Sequence, residues 1–253
     1  MHTAFLNYPE GIVVSCQAIM KNSDRFLIAF NSIERTLKDN LQADQYMPFS
    51  RLISNAKRNN AVIRRFYDDL KEFSELRNAI VHNTFDLNHA IAEPHESIVE
   101  QIEFIEQEIN KPKKVIPLFQ KKVTAFQSDD TLKDILQAIN RFSYSKFPVY
   151  DDTIFTGLLS KKGIVNWLAK NVEELTSVSF LNTPLRALLE YENKQKNYKF
   201  IDRNATIYDV REFFKSINGN DSSRIDALLI AEHGNPDEAL LGIITPWDLI
   251  NMP

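Results

Sequence analysis

The residues best suited to ligand chemistry lie near the end of the chain, in the run GIITPWDL from Gly242 to Leu249. The apolar residues predict a strand and the proline predicts a helix start, so Thr245 lies at the turn between them. A hydroxyl and free backbone N–H groups at such a turn can bind a phosphate. Asp248, one helical turn later, can accept hydrogen bonds from both hydroxyls of a ribose. The alternative is a capping pair, in which Thr245 caps the helix and Asp248 completes a capping box.

A second candidate site is the run RNAIVH from Arg77 to His82. At about 100° per residue, Arg77 falls in the middle of an apolar helical stripe. The stripe consists of Ile63, Phe66, Leu70, Phe73, Ile80 and Val81. An arginine in such a stripe must be paired, or the stripe must face something other than a closed core. The simplest interpretation is a helix-to-helix dimer interface with Arg77 near its axis.

Composition and motifs exclude several classes of protein. The net charge of −4 gives the whole chain no electrostatic attraction for nucleic acid or anionic lipid. The single cysteine, Cys16, fits a reducing compartment, and the sequence shows neither a signal peptide nor a membrane-length apolar run, so we expect a cytoplasmic protein with no membrane partner. The P-loop, nucleophile-elbow and metalloprotease motifs are missing from the sequence. His89 and His95 lack partners at metal-ligand spacing, so no metal is predicted.

The chain divides into two halves with different patterns. Residues 1–110 carry apolar stripes at helical spacing and predict an up-and-down bundle of about four helices. Two prolines and three lysines in Lys111–Pro117 interrupt the pattern and mark a domain boundary. Residues 1–110 have a net charge of −5 and residues 111–253 a net charge of +1.

Beyond the boundary, one β-α-β-β-α pattern occurs twice. Ser145–Tyr150 and Ile154–Leu159 predict paired strands, and Ala227–Ala231 and Leu240–Ile244 predict a second pair. A helix beginning at Thr131 or Thr206 precedes each pair, and another helix, opening at Ser160 or Thr245, follows it. The sequence therefore predicts an α+β multidomain protein, in which an all-α bundle is followed by two repeats that bury each other's apolar faces.

At these residues the second half resembles the CBS-domain family. The similar positions are Thr131-Leu-Lys-Asp134, Phe147-Pro148-Val149 and, most specifically, the run from Gly242 to Leu249, which is similar to the family's adenosine-binding signature. The resemblance implies a tandem CBS pair, or Bateman module. Its expected boundaries are a linker with a first short strand region at 111–122, a first repeat at 123–172 and a second at 173–253.

The resemblance also implies two ligand clefts between the repeats. The residues implied for the first and better cleft are Thr124, Tyr144, Ser145, Phe147, Thr245 and Asp248. The second cleft contains Ser160, Lys161 and Lys162 but has Gly163 in place of the ribose-binding aspartate, so a weaker or phosphate-only site is expected there. The implied ligand is an adenine-containing molecule: AMP, ADP, ATP, a cyclic dinucleotide or S-adenosylmethionine.

Two neighbouring features have a structural interpretation. Trp247 can stack on a base, but we expect it to pack against the sheet, because residues beside a helix-opening proline usually do so. The lysines between Lys111 and Lys122 can grip a polyphosphate, but we expect a solvated linker.

The run from Arg77 to His82 resembles the HEPN family of helical dimers. The resemblance implies a metal-independent ribonuclease, in which Arg77 stabilises the phosphate charge, Asn78 orients it and His82 acts near the RNA 2′-hydroxyl. Two observations oppose this activity: Arg77 and His82 lie about 140° apart on one helix, and the helical half is acidic.

Two hypotheses follow for a homodimeric chain that requires no cofactor beyond its ligand. In the first, the chain is an adenine-nucleotide-sensing regulatory protein whose helical domain docks onto a protein partner. In the second, it is a nucleotide-gated ribonuclease acting on RNA in stress or defence. Metal-independent RNA cleavage separates the two.

Overall fold

The apolar stripes of the N-terminal half fold as helices, as the sequence predicts. The computed structural model describes residues 20–82, 93–173, 178–192, 197–215 and 225–251, and the chain forms two compact units, Met1–Pro112 and Lys113–Pro253. The helices of the first unit are α1 (Asn22–Leu41), α2 (Phe49–Ala56), α3 (Ala61–Arg65), α4 (Tyr67–His82) and α5 (Glu96–Asn110). None of the helices in the described ranges is long and apolar enough to cross a membrane.

Helix α1 is the centre of the first unit. It buries Phe26, Phe30, Ile33 and Leu37 on one face, and the ring of Phe26 meets that of Phe73 on α4 edge-on at 5.7 Å. On the other side, the Arg25 guanidinium of α1 pairs with Glu96 and Glu103 of α5 at 2.7 and 2.8 Å. The core is therefore aromatic and the α1–α5 contact is reinforced by charge.

The continuous helix expected from Ile63 to Ile80 is interrupted at Phe66. Helix α3 begins at the Asn60 cap, whose side chain accepts a hydrogen bond from the Ile63 N–H. It ends at Arg65, because the backbone of Phe66 leaves the helical region at φ −107° and ψ 19°. Phe66 remains buried, so the apolar stripe continues across the break, and this continuity conceals the interruption in the sequence.

The second unit contains the repeated pattern, which confirms the predicted α+β class. Its elements before and within the first repeat are α6 (Val115–Leu118), β1 (Phe126–Gln127), α7 (Leu132–Phe142), β2 (Lys146–Asp151), β3 (Ile154–Ser160) and α8 (Lys161–Lys170). A 3-10 helix (Val178–Asn182) and α9 (Leu185–Leu189) follow. The second repeat contains β4 (Tyr198–Asp202), α10 (Ile207–Lys215), β5 (Ala227–Ala231), β6 (Gly242–Ile244) and a 3-10 helix (Pro246–Asn251).

Each repeat builds a three-stranded sheet with the same order, β1-β2-β3 or β4-β5-β6. The first pair of strands is parallel and the second antiparallel in both sheets. The second repeat departs from the prediction in two places. Its last strand contains only Gly242–Ile244, and a 3-10 helix of six residues replaces the α-helix expected after Thr245.

The repeats bury apolar surface against each other. Each has its own core, and a third cluster joins Leu158 of β3 to Ala227 and Leu229 of β5. All five residues of the run ALLIA in β5 are buried, because Ala227 and Leu229 face the shared cluster and Leu228 and Ile230 face the core of the second repeat. A strand buried on both faces has such a continuous apolar sequence.

The segment expected as a linker is partly built into the second unit. Val115 is fully buried in the core of the second repeat. Its N–H donates to the Ala205 carbonyl at 2.8 Å, and the Ile207 N–H donates to the Lys113 carbonyl at 3.0 Å. The apolar Val115 side chain gains from burial, so the chain from Lys113 onward packs against the second repeat, unlike a free connection.

Candidate functional site

The first cleft lies between the repeats and combines residues from three stretches of the chain. It is a cavity of about 100 Å³. Its lining residues are Lys121, Lys122, Val123, Thr124, Tyr144, Lys146 and Ile243. Thr124 and Tyr144 were predicted for this cleft and are brought together. Ile243 of β6 also lines the cavity, whereas Thr245 and Asp248, which were predicted for this cleft, are not among its lining residues.

The first cleft has an aromatic surface beside positive charge. The Tyr144 ring stacks on Phe142 with centroids 5.2 Å apart and an interplanar angle of 18°, and 38% of Tyr144 is exposed. Lys121 and Lys122 are exposed, and no carboxylate of the described ranges lies within ion-pair distance of either. Expected as part of a solvated linker, both lysines in fact line the cleft.

Sequence reasoning missed three further residues of the first cleft, Val123, Lys146 and Ile243. Lys146 opens β2, and its ammonium lies 2.8 Å from the Asp226 carboxylate. Ile243 was read only as an apolar strand residue.

Thr245 and Asp248 form the capping pair that was the alternative to ligand binding. Oδ2 of Asp248 accepts hydrogen bonds from the Thr245 N–H at 2.6 Å and from its hydroxyl at 2.8 Å. Among the described residues, no donor lies within hydrogen-bonding distance of Oδ1. The pair therefore uses one carboxylate oxygen for the cap, and the short 3-10 helix provides less dipole than the α-helix on which the phosphate argument relied.

Two predicted orientations are wrong. Phe147, expected in the cleft, is fully buried in the core of the first repeat and meets the Phe126 ring edge-on at 5.9 Å. Successive strand residues point to opposite faces, so Phe147 points away from the face of its neighbour Lys146. Trp247, expected to pack against the sheet, is 77% exposed. Ser145 is exposed, and its carbonyl accepts the Lys161 N–H at 3.2 Å.

The position expected for the second cleft lies at the start of α8, where Ser160, Gly163 and Glu192 are in contact. Ser160 is 1% exposed and its hydroxyl caps the helix by accepting the Gly163 N–H at 3.1 Å. The Ser160 N–H donates to Oε1 of Glu192 at 2.5 Å. Predicted as a ligand contact, Ser160 is instead covered by a carboxylate of the chain. Lys161 and Lys162 are exposed beside it.

Burial raises the pKa of Glu192, although hydrogen bonds from Ser160 oppose the rise. Lys146 and Asp226 also act on this carboxyl group, the first lowering and the second raising its pKa. Oε2 of Glu192 accepts from the Asn197 amide at 3.2 Å, and the same amide donates to the Leu158 carbonyl at 3.3 Å. A partly buried polar network therefore connects the two repeats at the position expected for the second cleft.

A separate cavity of about 280 Å³ lies in the helical unit. Its lining residues are Phe30, Glu34, Pro48, Phe49, Ser50, Ser74, Arg77 and Asn78. The Arg77 guanidinium donates to the Asn78 side chain at 3.3 Å, and no carboxylate of the described chain lies within ion-pair distance of it. His82 ends α4, but its side chain lies outside the described residues, so the Arg77–His82 arrangement stays a prediction.

Known protein structures match part of the chain. The chain is similar in structure to a hemolysin-like protein containing a CBS domain from Oenococcus oeni (17% identity, 58% of this chain and 96% of that chain, TM-score 0.38). It is also similar to CBSX2 in complex with AMP (13%, 55% and 94%, TM-score 0.38) and to CbpB in complex with c-di-AMP (16%, 54% and 81%, TM-score 0.38). The sequence matches no curated protein. The CBS-domain family model matches residues 115–170, and the chain therefore contains a CBS domain at these residues.

Proposed function

We propose that the second unit binds an adenine nucleotide in the first cleft and that this binding regulates the helical unit. The observation that carries the proposal is the composition of this cleft, where an exposed Tyr144 ring lies beside Lys121 and Lys122. An aromatic face suits a base, and ammonium groups without a carboxylate partner suit phosphates.

Different residues of the first cleft contact the base, the phosphates and the ribose of the nucleotide. The adenine stacks on Tyr144, the phosphates lie near Lys121 and Lys122, and the ribose hydroxyls donate to Oδ1 of Asp248. The positive charge favours the phosphate-bearing candidates AMP, ADP, ATP and a cyclic dinucleotide over S-adenosylmethionine. A cavity of about 100 Å³ is smaller than the roughly 300 Å³ at the lower end of ligand pockets. Binding therefore widens the cleft.

A widening of the first cleft has a direct route to the domain boundary. The Lys121 N–H donates to the Leu241 carbonyl at 3.1 Å, next to β6. Eight residues earlier, Lys113 is hydrogen-bonded to the start of α10, and the chain passes into the first unit at Pro112. Regulation requires that the nucleotide binds one arrangement of this segment better than another.

The proposed setting is a cytoplasmic homodimer whose helical unit docks onto a protein partner. Through this docking, a nucleotide-dependent change in the chain affects the partner protein. Size-exclusion chromatography with light scattering tests the dimer.

The direct test is a thermal-shift screen of the full chain against AMP, ADP, ATP, c-di-AMP and S-adenosylmethionine. Saturation with the true ligand at 100 times its dissociation constant adds about 2.7 kcal/mol of stability. Tyr144→Leu, which keeps an apolar side chain but removes the ring, must reduce the shift. A screen in which no compound raises the melting temperature contradicts nucleotide sensing.

A second candidate function, metal-independent RNA cleavage, is favoured by one observation in the helical unit. The half-buried Arg77 lines the cavity with Asn78, and a guanidinium in such a position suits a phosphate. The test is cleavage of single-stranded RNA in EDTA, with and without nucleotide. Arg77→Ala and His82→Ala must abolish cleavage, and unchanged cleavage in both variants contradicts this function.

A further inference from the structure

The two clefts occupy equivalent positions in the two repeats. Gly157-Leu-Leu-Ser160 ends β3 in the same way that Gly242-Ile-Ile-Thr245 ends β6. In this correspondence Ser160 takes the place of Thr245, and Gly163 takes the place of Asp248. Whatever lies over Gly163 therefore occupies the position that Asp248 has in the second repeat.

Glu192 lies over Gly163. A Cβ atom added to Gly163 would collide with the Glu192 carboxylate, so the glycine leaves room for this side chain. Oε1 accepts the Ser160 N–H at 2.5 Å and Oε2 accepts the Asn197 amide at 3.2 Å. The carboxylate thus makes the contacts with the start of α8 that a ligand anion would make.

The two clefts also differ in charge. Lys121, Lys122 and Lys146 line the first cleft, whereas Glu192 and Asp226 are the charged side chains of the polar network at the second. Lys146 lines the first cleft and also pairs with Asp226 of the polar network at 2.8 Å. The exposed Lys161 and Lys162 lie beside the second cleft. An anionic ligand entering the second cleft must displace a half-buried carboxylate. The cavity of the first cleft is lined by ammonium groups and neutral side chains, while Asp226 and Asp248 beside it are held by Lys146 and Thr245.

We propose that Glu192 closes the second cleft to anionic ligands, so that each chain takes a nucleotide in the first cleft alone, and that removal of this carboxylate admits a phosphate group to the start of α8. The part that concerns the first cleft rests on the proposed function. The closure of the second cleft by Glu192 stands on its own geometry.

Selective ¹⁵N-glycine labelling reports the two clefts separately. The chain has six glycines, of which Gly163 lies in the second cleft and Gly242 opens β6 beside the first. The full chain is titrated with AMP as wild type and as Glu192→Ala, and the six amide resonances are followed. Each variant must show the dispersed spectrum of the folded chain.

In the wild type, AMP is expected to shift Gly242 and leave Gly163 unmoved. In Glu192→Ala both resonances are expected to shift, and the Gly163 shift is expected to saturate at an AMP concentration at least tenfold below the highest one that leaves Gly163 unmoved in the wild type. The shift of Gly163 must persist in Glu192→Ala/Asp248→Ala, which excludes an indirect effect from the first cleft. If Glu192→Ala does not fold, Glu192→Gln takes its place, because a neutral amide is displaced by phosphate without expelling a buried charge.

Two results overturn the inference: an equal response of Gly163 in the wild type and the variant, or no response of Gly163 in the folded variant. A silent Gly242 in the wild type contradicts nucleotide binding in the first cleft, while the comparison at Gly163 still decides the role of Glu192.

Discussion

Replacement of Asp248 separates ligand binding from helix capping, because the chain contains a matched control. Asp248 accepts two hydrogen bonds from Thr245, at 2.6 and 2.8 Å. Asp209 accepts the same two from Thr206, at 2.8 and 2.7 Å. Neither carboxylate is among the residues that line the cavity of the first cleft, but Asp248 follows β6, whose Ile243 does line it. Each Asp→Ala change removes a cap and is expected to lower the free energy of unfolding by about 1 kcal/mol.

The two variants are expected to differ only in nucleotide binding. Hydrogen bonds to a charged group contribute about 1.5–3 kcal/mol, so loss of the contact between Asp248 and the ribose weakens AMP binding by about 10- to 150-fold. At AMP concentrations 100 times the wild-type dissociation constant, the wild type and Asp209→Ala gain about 2.7 kcal/mol. Asp248→Ala gains only about 0.3–1.3 kcal/mol under the same conditions.

Chemical denaturation with and without AMP measures these gains, and isothermal titration calorimetry measures the affinities directly. The reasoning is refuted if Asp248→Ala retains the full stabilisation by AMP, since the carboxylate would then serve the cap alone. Equal losses in Asp248→Ala and Asp209→Ala refute it as well, because they would show that a missing cap is enough to weaken binding.

Three further predictions concern charge, pH and packing. Lys121→Gln and Lys122→Gln are expected to weaken AMP binding and to reduce its dependence on salt in calorimetric titrations, because each removes a phosphate-facing charge. Folding raises the pKa of Glu192. The free energy of unfolding that this group contributes is therefore fully present below the unfolded pKa and is lost as pH rises through the folded pKa. The urea midpoint should therefore fall less from pH 4 upward in Glu192→Gln than in the wild type, and identical pH profiles contradict this. Gly242→Ala places a Cβ against the backbone carbonyl of Phe119 and is expected to destabilise the chain by about 1–3 kcal/mol in denaturant titrations. If Gly242→Ala is as stable as the wild type, the Phe119 backbone moves away from the added Cβ at no cost in free energy.

Local patterns determined much of the fold. Helical spacing predicted α1, α4 and α5, and the doubled strand pairs predicted β2, β3 and β5 with small errors at their ends. These elements follow from side-chain periodicity and capping residues, which act within a few positions of the chain. The break at Phe66 escaped prediction because the buried stripe runs through it without a Gly or Pro.

Which residues line the clefts depends more on contacts between distant parts of the sequence than the helices and strands do. Thr124 and Tyr144 were predicted for the first cleft, but Phe147 was assigned to the wrong face because three consecutive residues of β2 are buried, which hides the alternation. The roles of Lys121 and Lys122 as cleft residues follow from the hydrogen bond between the Lys121 N–H and the Leu241 carbonyl. No local pattern contains that contact.

By itself, the sequence determined the two-part organisation of the chain, the repeated β-α-β-β architecture and the Thr245–Asp248 pair, because each is written in residues that are close together. Only the tertiary structure showed that Glu192 covers the start of α8, the contact on which the proposed closure of the second cleft rests. Ser160 and Glu192 are 32 positions apart, and a carboxylate can cover the start of a distant helix only after the sheets have packed and set the register between the repeats.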